Sequence, residues 1–123
     1  RGKKMQNILA ALADAAIYVP VPCKGNIAKM VAVFQTATVQ PNDTIVASRG
    51  ATAVNTLTAV DTAGLVMETG VPDATNKGLI FDPDSSTAAN TVIKLTPTGD
   101  PGASLVLISF DDSAYVAQPA SEA

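Results

Sequence analysis

Ile27-Ala28-Lys29-Met30-Val31-Ala32-Val33-Phe34 opens a run that extends through residue 39, and its pattern decides the fold class. Read as an extended strand, Ala28, Met30, Ala32 and Phe34 fall on one face. Ile27, Val31 and Val33 fall on the other, interrupted by Lys29. Both faces are largely apolar, which predicts a central strand covered on each side. Turn chemistry bounds the run, with Lys24-Gly25-Asn26 before it and Pro41-Asn42-Asp43 after it.

Strand signals continue in both directions. Upstream, Ile17-Tyr18-Val19-Pro20-Val21-Pro22 is β-rich, but its two prolines cannot donate ladder hydrogen bonds. It predicts an edge strand or an extended strap. Downstream, residues 44–48 form a short run that ends at the turn Arg49-Gly50-Ala51. Residues 54–60 then alternate Thr56 and Thr58 with Leu57 and Ala59. Further short strands are expected at 65–68, 79–81, 90–96 and 104–110. The last two are joined by Pro97-Thr98-Gly99-Asp100-Pro101-Gly102, whose prolines and glycines enforce a reversal. About eight short strands, with turn signals at roughly 8–12-residue intervals, predict an all-β antiparallel sandwich. The helices that parallel crossovers require are missing between the strands.

Only the N-terminal segment has helical periodicity. Met5, Ile8, Leu9 and Leu12 stand at i, i+3, i+4 and i+7 among helix-favouring alanines, which predicts a short amphipathic helix over residues 4–15. Such a helix is marginal alone and must dock on something. The expected organisation is therefore an arm or short helix at 1–16, a β-sandwich domain at 17–117 and a flexible tail at 118–123. The apolar stripe then either caps its own sandwich or lies in a groove of a neighbouring subunit. In the second case Arg1, Lys3, Lys4, Met5, Ile8, Leu9 and Leu12 are the candidate partner contacts, the three basic residues guiding encounter.

Composition narrows the function. Of 123 residues, 47% are hydrophobic and only 15% charged, so the chain is not a disordered one. Arg1, Lys3 and Lys4 hold three of the eight basic residues. The remaining chain sets five basic against eleven acidic groups, a balance of −6. A body so acidic repels phosphate, and no nucleic-acid partner is expected. No apolar run reaches the 18 or more residues of a membrane helix, and the polar face of the N-terminal segment is not basic, so no membrane partner is expected either. Gln6 and Asn7 break the apolar run that a signal peptide would need.

The chain contains no histidine and one cysteine, Cys23. Nucleophile–imidazole catalysis therefore has no proton relay, and zinc has no His/Cys ligand set. Gly99-Asp100-Pro101-Gly102 lacks the lysine of a phosphate loop. Asp82-Pro83-Asp84-Ser85 reads as a solvated turn and lacks the glycine and distal glutamate of a calcium loop. Cys23 reads as a small packed hydrophobe. No catalytic residue, metal or other cofactor is expected. A binding protein is.

From Tyr18 onward the arrangement resembles the small bacteriophage head decoration, or cement, proteins. Four stretches carry the resemblance: Tyr18-Val19-Pro20-Val21-Pro22, Gly25-Asn26-Ile27-Ala28-Lys29-Met30-Val31-Ala32-Val33, Asp43-Thr44-Ile45-Val46, and Asn90-Thr91-Val92-Ile93-Lys94-Leu95 leading to Leu105-Val106-Leu107-Ile108. It covers most of residues 17–110, in strand rhythm and turn placement, and leaves the N-terminal segment outside. The resemblance implies a jelly-roll-like sandwich, often a trimer. Its partner would be the major capsid protein, on the outer surface of a virion assembled in the host cytoplasm. The competing expectation is a carbohydrate- or receptor-binding sandwich of a virion fibre or cell surface. That reading rests on Tyr18, Tyr115 and the Asp82–Asp84 loop.

Overall fold

The computed structural model describes residues 5–13, 15–35, 43–59, 67–99 and 104–113. Among the described residues nine strands run in chain order: β1 Met5–Leu12, β2 Ile17–Pro20, β3 Gly25–Phe34, β4 Thr44–Arg49, β5 Thr52–Thr58, β6 Met67–Thr69, β7 Val71–Pro72, β8 Val92–Thr98 and β9 Ser104–Asp112. They form two antiparallel sheets, ordered β1-β9-β3-β6 and β2-β8-β4-β5-β7. The all-β sandwich expected from the strand rhythm is what the chain builds. With the two-residue β7 set aside and the other strands renumbered, the sheets read 1-8-3-6 and 2-7-4-5. That is the strand order of a jelly roll.

The core lies between the sheets and is made by inward residues of both. Phe34, Phe110, Ile108 and Met30 come from the four-stranded sheet, and Ile45, Leu57, Ile93 and Leu95 from the five-stranded one. All are at most 1% exposed. Phe81 closes one end from outside the regular strands. It makes a single antiparallel bridge to Gly25, and its ring stands 6.1 Å from that of Phe110, tilted by 58°. The Arg49 guanidinium donates to the Ile80 carbonyl at 2.8 Å, tying this loop to β4. Between β4 and β5 the reversal needs a left-handed residue, and Gly50 supplies it at φ 63°. Cys23 is half-buried and packs against the core.

The N-terminal helix is overturned: Met5–Leu12 is strand β1, paired residue for residue with β9 from Met5↔Asp111 to Leu12↔Ser104. The apolar run fits either period, since residues stand on both faces of the segment. A stripe of about two turns would have left a helix that is marginal alone. Pairing with β9 satisfies the ladder and buries Ala10 and Leu12 instead. Residues 5–12 thus belong to the sandwich and are not a separate helical arm. The tail expected at 118–123 lies outside the described residues.

Smaller differences follow from the ladder. Gly25 and Asn26, expected in a turn, already pair with β9. The ladder slips between Ile27 and Lys29, so Ile27 joins Met30 in the core although simple alternation puts them on opposite faces. Of the strand expected at 79–81, only Phe81 makes a bridge. Asn90 ends a 3₁₀ turn, Ala88–Asn90, that precedes β8. β2 lies at a sheet edge, as Pro20 within it and Pro22 just beyond it require.

Candidate protein-binding face

The two outer faces of the sandwich differ in chemistry. On the five-stranded sheet the residues opposite the core set are Pro20 with Val92, Tyr18 with Lys94, Val46 with Thr96, Thr56 and the 68%-exposed Val71, and Thr44 with Thr98 and Thr58. Threonine suits a strand with one face wet, because its methyl packs on neighbours while its hydroxyl meets water. This is the alternation expected of a half-buried antiparallel sheet.

The four-stranded sheet departs from that rule. Register places Ala11, Leu105, Val33 and Met67 in one row across its outer face, and Leu9, Leu107, Val31 and Thr69 in the next. Leu9 is 68% exposed and Met67 60%, whereas Val31 is 8% exposed because its larger neighbours stand over it. Val31 also falls outside the inter-sheet core cluster that holds Met30 and Ala32. Leu9, Val31, Val33, Met67, Leu105 and Leu107 line a shallow hollow of about 240 Å³. Beyond it the surface turns polar: Asn7, Ser109 and Lys29 share the following row, and the Ser109 hydroxyl donates to Asn7 Oδ1 at 3.3 Å.

Scattered exposed apolar side chains are ordinary, but a contiguous apolar face rimmed by polar groups marks an interaction surface. Covering the exposed parts of Leu9 and Met67 would contribute about 1–2 kcal/mol each. The sequence pattern of β3 predicts cover on both faces. Among the described residues only the inner face has it.

The seven candidate contacts are dispersed. Met5 and Leu9 point outward, Leu12 is buried in the core, and Ile8 is partly buried against it. Arg1, Lys3 and Lys4 lie outside the described residues. Leu9 is thus the member of the stripe that belongs to the apolar hollow. Val31, Val33, Met67, Leu105 and Leu107 are the residues that helical periodicity could not find. For all of these but Met67 the signal was present in 104–110 and 27–34, where apolar residues occupy both strand faces.

The other features resolve locally. Asp82 Oδ1 accepts the Asp84 amide at 2.9 Å, which makes the loop a self-contained turn. Among the described residues no three acidic or cysteine side chains converge on a metal-sized site, and no helix is long and apolar enough to cross a membrane. On the threonine-rich face, Lys94 Nζ stands 5.9 Å from the centroid of the Tyr18 ring. Because Tyr18 is 64% exposed, Tyr18→Ala is expected to shift unfolding stability by no more than about 1 kcal/mol. Urea denaturation measures it, and a larger loss would mean that the ring is structural.

The chain matches no protein-family model, no curated protein and no solved structure.

Proposed function

We propose that the protein is a non-enzymatic virion decoration protein, docking the apolar face of its four-stranded sheet on the outside of an assembled capsid. The observation that supports this reading is the asymmetry of the sandwich: one outer face is mainly threonine, with Tyr18 and Val71 exposed singly, and the other carries two successive apolar rows bordered on one side by a polar row. An apolar face of this kind gains by being covered, and a coat subunit is a folded surface able to cover it. A protein that binds only the assembled lattice stabilises that lattice by mass action. Many copies on one shell need no strong individual contact, provided neighbouring copies cooperate. The resemblance of residues 17–110 to head decoration proteins points to the same partner, the major capsid protein.

Met67→Lys tests it. Met67 is exposed and sits on the short edge strand β6, so a lysine there leaves the core intact and places a charge on the docking face. Capsids assembled with the full-length variant should lose its density in electron micrographs, while its denaturation midpoint stays within about 0.5 kcal/mol of the parent. Full occupancy of capsids by Met67→Lys would exclude this face.

A second reading has one observation in its favour. Tyr18, Gly50, Ala89, Val92 and Lys94 line a hollow of about 180 Å³ on the opposite face, where an aromatic ring and a cation could hold a sugar. A glycan array probed with the parent and with Tyr18→Ala separates the two. Tyr18-dependent binding would favour the carbohydrate module.

A further inference from the structure

Among the described residues the sandwich has four sheet edges, and three of them are protected. β2 is four residues long and ends in Pro20, with Pro22 just beyond it. β6 is three residues long and carries Glu68, and β7 is two residues long and ends in Pro72. Short strands, prolines and charges are the devices that keep sheet edges from pairing with other chains. β1 has none of them. It runs eight residues, Met5-Gln6-Asn7-Ile8-Leu9-Ala10-Ala11-Leu12, without a charge or a proline. One side is paired with β9, and no described strand pairs with the other. At the antiparallel rise per residue it offers roughly 27 Å of open ladder.

We infer that β1 is the self-association edge: two copies pair β1 to β1 antiparallel about a two-fold axis, joining their four-stranded sheets into one of eight strands. Several features select a second copy as the occupant. A charged partner strand finds no counter-charge on β1, whereas β1 itself is neutral and equally long. A two-fold axis perpendicular to the sheet makes the pairing antiparallel and keeps the same outer face of both copies on one side. The apolar outer rows also end at this edge with Leu9 and Ala11, so two-fold pairing makes one continuous apolar surface from two. Such a contact is isologous and closes as a dimer, in place of the trimer that the family resemblance implies.

Light scattering on the full chain at micromolar concentration tests the inference, with Leu9→Lys and Met67→Lys beside the parent. Leu9 is exposed on β1, so Leu9→Lys is expected to keep the parent's circular dichroism while it sets a charge on the pairing strand. The parent should have the mass of a dimer, Leu9→Lys that of a monomer, and Met67→Lys, on the far edge of the same sheet, that of a dimer. A monomeric or trimeric parent overturns the inference. So does a Leu9→Lys that remains dimeric, or a Met67→Lys that dissociates as fully as Leu9→Lys. Because Met67→Lys is expected to lose capsids and keep the dimer, failure of the docking reading and failure of this one are distinguishable.

Discussion

Phe81→Ala is expected to lower the unfolding free energy by about 3–5 kcal/mol, a large share of what a domain of this size possesses. Phe81 is fully buried although it lies in a loop, and the pair it makes with Phe110 closes one end of the core. Its backbone is already satisfied: the Gly25 amide donates to the Phe81 carbonyl at 2.9 Å, and the Phe81 amide to the Gly25 carbonyl at 2.7 Å. Those bonds survive the substitution, so the loss is that of the ring and the cavity it leaves. The surrounding β3 and β9 backbones are held in a ladder and cannot collapse into the space. Guanidinium denaturation followed by circular dichroism gives the number. Phe81→Leu should recover more than half of it, because most of the volume returns. A loss below about 1 kcal/mol for Phe81→Ala would show that the loop does not close the core.

Gly25→Ala is the second large effect, expected near 3 kcal/mol from overpacking. A methyl at Gly25 would run into the carbonyl oxygen of Asp111 and come within 2.9 Å of the Phe110 ring edge. Neither neighbour is free to yield. Asp111 is paired across β9 with Met5 on one side and with Asn26 on the other, so moving its carbonyl disturbs two ladders at once. The φ of Gly25 is not the issue; space is. Gly78→Ala is the control, since nothing lies within 4 Å of a methyl there, and it should change stability by less than about 0.5 kcal/mol. Equal midpoints for the two alanine variants would mean that β3 and β9 do not approach as closely as they do here.

The legible parts of this fold share a cause. The turn at Arg49-Gly50-Ala51, the edge position of the proline-bearing β2 and the alternation of Thr56 and Thr58 with Leu57 are properties of a few neighbouring residues. Each follows from dihedral limits or from the two-residue period of a strand. The N-terminal segment was not legible for the converse reason. Met5, Ile8, Leu9 and Leu12 satisfy a helical period, and Ile8, Ala10 and Leu12 satisfy a strand period. The choice was made by β9, which lies about a hundred residues away and offers eight ladder positions. The candidate site shifted with it, because a strand sends Met5 and Leu9 outward and Ile8 and Leu12 inward.

Composition and local pattern by themselves determined that this chain is a β-sandwich, with no histidine and a single cysteine. Those conclusions need only residue types and their spacing. Which apolar face is covered and which is open was decided by tertiary structure alone. Val31 and Met30 are adjacent, apolar and on the same strand. One meets the opposite sheet and the other the outer hollow, because β3 lies between β9 and β6 and only one side of that sheet faces the second. Burial is a property of what stands opposite a residue, and the chain's own order does not state it.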